Sequence, residues 1–393
     1  MLEFDFDIPT RILFGAGKLD ELKREKLPGK LALVVISSGK TMREKGYLDR
    51  VLNALKHQGV ESMIYDGISA NPTKAQIMQA AQFARDNFCE FVIGLGGGSS
   101  IDAAKAIALM ARNPGDYWDY IVTGTGKGLP VKHPALPIVA ITTTAGTGTE
   151  ADPWAVVTNE ETNEKIGFGV RSTFPFLSIV DPELMLSLPP FLTAIQGFDA
   201  FFHAAEGYIA KIATPVSDSL ALKSISLLAK NLPEAVKNGT NLEARTNVAL
   251  ANTLSGMVES TSSCTSEHSM EHAMSAFHPE LPHGAGLLML SVPYFKFFAK
   301  YVPERFSDMA VAMGADVSSL SETERAEAFV SAMQEMQRAC GVSELKMSDY
   351  GIRFDEMEAL ARNAHKTMSN LFAMDRYTLS LKETVGIFEA AYK

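Results

Sequence analysis

Five of the eight histidines fall between residues 203 and 283: His203, His268, His272, His278 and His283. Within FDAFFHAAEG, Asp199 and His203 stand four apart, so on a helix both side chains leave one face toward one point. His268 and His272 repeat that spacing in SEHSMEH, and His283 follows in PELPHG, where a helix is expected to begin or end. A lone histidine is usually a solvated or satisfied side chain. Two such pairs and a further histidine point instead to a metal site, and imidazole with carboxylate suits divalent iron or zinc. Spacing leaves open whether His268 or His272 binds, because a tetrahedral site takes four ligands and Asp199, His203, His268, His272 and His283 make five. Cys264 reads better as a small buried hydrophobe than as a ligand. His268 to His272 also matches the H-x-x-E-H pattern of inverted zinc peptidases, with Glu271 as the base. That reading leaves the Asp199/His203 pair and two further loops without a task.

The first of those loops is FVIGLGGGSSIDAAKA, which places Gly94, Gly96, Gly97, Gly98 and Ser99 between a buried strand and a helix. Glycines there let the backbone approach a phosphate, and the helix start turns free N–H groups toward it. Asp102 lies in the first helical turn and could accept a sugar hydroxyl. The second loop, TTTAGTGTE at residues 142–150, is rich in hydroxyls and flexible backbone. Two such loops on neighbouring strand ends are what a nucleotide between them needs. SGKT at residues 38–41 resembles the tail of a P-loop, but Val34 stands where the first glycine must be, so ATP hydrolysis is not supported.

These loops require strand ends to carry them. LALVVI at 31–36, SMIY at 62–65, FVIGL at 91–95 and PIVAI at 137–141 read as strands, with helices at 41–57, 73–87 and 99–112 between them. Such alternation predicts a parallel α/β sheet. After residue 187 the pattern turns to three- and four-residue spacing, at 193–210, 216–230, 242–258 and 324–340. Pro189-Pro190 marks the change, so an α/β domain over 1–187 and an all-helical domain over 188–393 are expected.

The 393 residues are enough for two cores, and 46% hydrophobic with 21% charged residues is a globular composition. A formal net charge of −10 without a basic run argues against nucleic acid or an anionic membrane as partner. Three cysteines cannot build a disulfide framework, and the acidic N-terminus lacks the features of a signal peptide, so a cytoplasmic location is expected. The most apolar stretch, 287–302, is broken by Ser291, Pro293, Lys296 and Lys300, which excludes a span there.

Taken in order, GGGS followed by Asp102, TTAGTG at 143–148, DPEL at 181–184, DAxxHAxE at 199–206 and HxxxH ending in His283-Gly284 resemble the iron-dependent (group III) alcohol dehydrogenase family. The resemblance covers nearly the whole chain. It implies a dehydroquinate synthase-like fold: an N-terminal dinucleotide-binding domain and a C-terminal helical metal-binding domain. By motif, it implies Asp199, His203, His268 and His283 as metal ligands and His272 beside the metal as the group passing a proton to solvent. It rests the cofactor diphosphate on Gly97, Gly98 and Ser99, and lines the cofactor with Asn71, Asp102, Thr143, Thr144, Thr147, Asp152 and Lys165. The implied reaction is reversible hydride transfer between a primary alcohol or diol and NAD(P), with Fe2+ or Zn2+, in a homodimer or higher oligomer. A zinc-dependent polyol dehydrogenase and a non-catalytic metal-binding module are the rival readings.

Three departures from the family pattern stand out. Thr149 replaces the usual serine of TTAGTGSE; the loop between His272 and His283 is longer and carries His278; and MDR at 374–376 stands where Asn-Pro-Arg is expected. After the first long strand, relatives that prefer NAD often carry an Asp, which would repel a 2′-phosphate. Here ISSGK at 36–40 has no acid and offers Lys40, which leans toward NADP.

Overall fold

The computed structural model describes residues 3–393. They divide into two compact units, Ile8–Leu186 and Ser187–Lys393, the second also taking in the N-terminal arm up to Asp7. The arm thus departs from the expected α/β assignment, because it makes no strand before Arg11. The proline pair starts a helix rather than ending a strand: Pro189 is its N-cap and Pro190 its first residue, where a missing N–H costs nothing.

The α/β unit carries β1 (Arg11–Phe14), β2 (Leu31–Ser37), α1 (Thr41–Glu44), α2 (Tyr47–His57), β3 (Glu61–Ile68), α3 (Lys74–Asp86), β4 (Phe91–Gly96), α4 (Gly98–Met110), β5 (Ile138–Thr142), β6 (Ala155–Asn159), β7 (Glu164–Phe168) and β8 (Leu177–Val180). Six strands pair in parallel in the order β1-β8-β5-β4-β2-β3, and β6 and β7 form a separate antiparallel hairpin. The residues of β4 and β5 are buried throughout, as strands covered on both faces must be. One face packs Val34, Ile36, Ile93, Leu95 and Ile141 against Leu48, Val51 and Leu55 of α2. Chain direction across the sheet reverses between β2 and β4, so residues 37–40 and the glycine loop flank the same crevice at the strand C-terminal ends.

The helical unit contains α5 (Pro190–Ile209), α6 (Pro215–Lys237), α7 (Leu242–Thr261), α8 (Ser266–Phe277), α9 (His283–Ala299), α10 (Pro303–Ala312), α11 (Glu322–Ala339), α12 (Met357–Thr367), α13 (Ser369–Met374) and α14 (Leu381–Ala391). Its core is aromatic: Phe202 stacks on Phe295 at 5.9 Å, and Phe201 on Phe329 at 5.9 Å. These contacts fix the rotation of α5, and with it the direction of Asp199 and His203 one face round. At the start of α9 a Cβ on Gly284 would collide with the carbonyl of Ile195, so only glycine lets α9 approach α5 there. None of the described helices is long and apolar enough to cross a membrane.

Candidate active site

In the α/β unit, Gly97 caps α4 and the helix begins at Gly98. Gly96 sits at φ +148°, a conformation other residues rarely adopt. A Cβ on Gly97 would lie 3.0 Å from Thr144 Oγ1, and one on Gly98 would lie 2.5 Å from Thr147 Cγ2. The glycine and threonine loops therefore pack on each other, joined by Thr143 N donating to Gly96 O at 2.9 Å. This brings Gly97, Gly98, Ser99, Thr143, Thr144 and Thr147 together. The first amides of a helix have no acceptor within it, so this end of α4 suits an anion. Asn71, at φ +53°, precedes Pro72, whose carbonyl accepts from Thr158 N on β6 at 2.9 Å.

Asp102 and Asp152 are buried and hydrogen-bonded within the α/β unit. Asp102 is buried, with Oδ1 accepting from Thr149 Oγ1 at 2.6 Å and Oδ2 from Val156 N at 3.0 Å. The carboxylate holds the threonine loop and the hairpin to α4. Asp152 is buried beside Lys105, whose Nζ donates to Asp152 Oδ1 at 2.9 Å, Thr149 Oγ1 at 2.6 Å and the Trp154 carbonyl at 2.8 Å. Burial raises the pKa of Asp102 from its ordinary value and pushes Asp152 up to about 7, in both cases against the pull of Lys105. Lys165 on β7 is buried too, and its charge favours ionised Asp102. The sequence signal for Lys105 is its place three residues after Asp102 on an otherwise apolar helix, where a lysine must find a buried partner.

In the helical unit, Asp199, His203, His268 and His283 present ligand atoms that all lie within 4.8 Å of one another. Asp199 Oδ1 is 3.7 Å from His203 Nε2, 3.7 Å from His268 Nε2 and 3.4 Å from His283 Nε2. Asp199 Oδ1 and His268 Nε2 are buried without a hydrogen-bond partner. Orphaned buried polar atoms are costly, and a shared cation between them removes the cost, so the residues fit a divalent metal. Burial disfavours the charge on Asp199, yet His203, His283 and His268 together bring its pKa down to about 2.

His272, one turn after His268, stays outside that set; its Nδ1 faces Met368 Sδ at 2.9 Å. Its ring centroid is 5.4 Å from that of His283, so it lies beside the group. His278 turns instead to Glu356, 3.3 Å away. Cys264 directs its thiol to Glu259 at 3.8 Å, and burial pushes the thiol pKa up. Glu271 is buried and hydrogen-bonded to His283 Nδ1, so it is not the water-activating base a peptidase needs. Sequence reading assigned no role to Glu206 or Glu259, which face His268 and His203 from across the fold.

The family model for iron-containing alcohol dehydrogenase matches residues 9–182, and that for the C-terminal part of the Fe-containing alcohol dehydrogenase family matches residues 193–392. The chain belongs to this family. It is 33% identical to 1,3-propanediol dehydrogenase of Klebsiella pneumoniae over 99% of both chains. It is also 33% identical to the NAD-dependent methanol dehydrogenase of Bacillus methanolicus, over 93% of this chain and 95% of that one. Among solved structures, an archaeal halo-thermophilic alcohol dehydrogenase from a Red Sea brine pool superposes with a TM-score of 0.95 at 32% identity, covering 100% of this chain and 99% of that one. As a family member the chain is an alcohol oxidoreductase. Two of its departures from the family pattern now have physical readings. At Thr149 the hydroxyl alone matters, since it accepts from Lys105 and donates to Asp102. In the MDR segment, Asp375 Oδ1 accepts from Ser266 N at 3.2 Å, and Arg376 donates to the carbonyls of Ile209 and Ala210 at 3.0 Å each.

Proposed function

We propose that the chain reversibly oxidises a small primary alcohol or diol to the aldehyde with NAD(P), using a metal held by Asp199, His203, His268 and His283. The observation that carries this is the pair of orphaned buried atoms, Asp199 Oδ1 and His268 Nε2, 3.7 Å apart within the four-residue set. Bound iron supplies Lewis acidity toward the alcohol or aldehyde oxygen, and the nicotinamide supplies the hydride acceptor or donor. The same ligands suit zinc. His272 exchanges the proton with solvent through its ring, in reach of His283 and out of the ligand set. Gly97, Gly98 and Ser99 receive the diphosphate at the start of α4, with Thr143, Thr144 and Thr147 closing over it and Asn71 and Lys165 further along the cofactor. Asp102 and Asp152 act beneath that cradle, through Thr149 and Lys105.

We propose NADP in preference to NAD. Residues 37–40 flank the crevice where the strand order reverses, and they offer Ser38 and an exposed Lys40 with no carboxylate. We also propose a homodimer or higher homo-oligomer, which family membership supports, and a cytoplasmic location, which the sparse and free cysteines support. The test is an absorbance assay at 340 nm, on apo-protein reloaded anaerobically with ferrous iron or zinc and given NADPH or NADH with butyraldehyde. Metal-dependent loss of absorbance, faster with NADPH, is expected. A strong NADH preference refutes the cofactor assignment, and no turnover of several short aldehydes with either metal and either cofactor refutes the reaction.

A further inference from the structure

Each of the three histidines in the proposed ligand set has two ring nitrogens in defined surroundings. Every Nε2 points toward Asp199 Oδ1, and every Nδ1 points toward a glutamate. His268 Nδ1 is hydrogen-bonded to Glu206 and His283 Nδ1 to Glu271, while His203 Nδ1 lies 3.4 Å from Glu259 in a looser contact. The glutamates come from three helices, α5, α7 and α8, and none of them belongs to the four-residue set itself. Glu206 and Glu271 are fully buried.

Burying carboxylates without return is costly, so their convergence on the far side of the same three rings needs a reason. A carboxylate on Nδ1 keeps the proton on that nitrogen. It thereby leaves the Nε2 lone pair for a metal and strengthens it as a donor. The glutamates are themselves held. Glu206 Oε2 accepts from Thr265 N at 2.7 Å and from Thr265 Oγ1 at 2.8 Å, so its other oxygen is aimed at His268. Glu271 occupies space that α9 leaves by carrying glycine, since a Cβ on Gly286 would come 2.7 Å from Glu271 Cγ.

We infer that Glu206, Glu271 and, more weakly, Glu259 are positioning residues that orient the three histidines and raise the affinity of the site for a divalent first-row metal. The inference rests on the ligand assignment proposed above. With Asp199, the arrangement places four carboxylates around one cation. Its retention of metal therefore exceeds what four ligands with water-facing imidazoles would give.

The experiment measures metal affinity, independent of turnover. Full-length apo-protein is titrated with Zn2+ in competition with a chromophoric chelator, and loaded with Co2+ for its visible spectrum. Glu271→Ala is expected to weaken binding by about 10–100-fold. Glu271→Gln keeps an oxygen that can accept from Nδ1 and loses only the charge, so it should fall between Ala and wild type and recover most of the wild-type Co2+ band. Glu259→Gln should have the smallest effect. Gly286→Ala retains every carboxylate but displaces Glu271, and should weaken binding in the same direction. Should Glu206→Gln fail to fold, the Glu271 and Gly286 variants decide the matter, with apo-protein circular dichroism as the check on folding. Wild-type binding with Glu271→Ala and Gly286→Ala both within twofold of it would overturn the inference and leave the ligand set standing. A folded wild-type protein that binds neither metal would overturn both.

Discussion

Replacing Lys105 by methionine tests the network beneath the nucleotide cradle. Methionine fills the space of the lysine stem, so the variant removes a cation and three N–H donors without opening a large cavity. In the wild type those donors meet Thr149 Oγ1, Asp152 Oδ1 and the Trp154 carbonyl at 2.6, 2.9 and 2.8 Å, with the side chain wholly buried. Removing one partner of a buried ion pair typically costs about 3–5 kcal/mol, because the other is left charged and dry. Here Asp152 has an escape: burial has already raised its pKa to about 7, so near and below neutrality it can take up a proton. The loss should therefore be about 1–2 kcal/mol at pH 6 and approach about 3–5 kcal/mol at pH 8.5, where neutralising the carboxyl costs more. Urea unfolding of the apo-protein at the two pH values measures this. Because Asp152 is then no longer tied to α4 and Thr149 keeps only its bond to Asp102, KM for NADPH should also rise about tenfold while bound metal is unchanged. Adding Asp152→Asn to the lysine variant should recover part of the stability at pH 8.5. A loss below about 1 kcal/mol at both pH values, with KM unmoved, would refute the view that Lys105 supports the cradle.

His203→Ala or His283→Ala should lose bound metal and activity together; metal analysis showing wild-type stoichiometry in either would remove that residue from the ligand set. His272→Ala should keep its metal and lose turnover, as steady-state rates alongside metal content would reveal. Gly98→Ala would place a Cβ 2.5 Å from Thr147 Cγ2, so cofactor KM should rise with the metal site intact, read from initial rates against NADPH. Burial, helped by the Glu206 charge, pushes Asp375 up to about 7 from an ordinary 3.8. A raised carboxyl pKa contributes stability below the unfolded value and loses it as pH rises through the folded one. Asp375→Asn should thus leave thermal stability near wild type at pH 5 and gain about 1–3 kcal/mol at pH 8, and an equal difference at both pH values would sink this reading.

How much of this was legible in the sequence depended on whether the signal was local. The central strands β2, β4 and β5 read as unbroken apolar runs because both their faces are covered. The four-residue strands β1 and β8 and the hairpin β6/β7 escaped, the first pair for shortness and the hairpin because its apolar alternation is interrupted by buried Glu164 and Lys165. A single helix was expected over 41–57, but Gly46 at φ +69° separates α1 from α2. The histidine pairs were visible because four-residue spacing is itself a geometric statement, and His283 does begin a helix, as PELPHG suggested. The glutamates were invisible because Glu259 meets His203 across 56 positions of chain and Glu206 meets His268 across 62, and no periodicity encodes such pairings.

Two groups of buried acids in this chain are resolved in opposite ways, and the contrast bears on what each unit is built to hold. In the α/β unit Lys105 supplies the cation for Asp152 and Thr149 links it to Asp102, with both oxygens of Asp102 satisfied. That network closes on itself, each of its buried charges meeting a partner within the chain. It lies beneath the loops proposed above to receive the cofactor diphosphate. In the helical unit the acids gather behind three imidazoles, and the inward-facing atoms Asp199 Oδ1 and His268 Nε2 receive nothing from the chain. On the ligand assignment proposed above, a cation from outside would recover the cost of that opening, and metal binding would be coupled to the stability of this unit. Loading with Zn2+ should therefore delay unfolding of the helical unit and leave the α/β unit unmoved. Hydrogen exchange of the apo- and metal-loaded protein reads this directly: slowed exchange confined to α5, α8 and α9 is expected, and equal protection in β4 and β5 would contradict the division of labour.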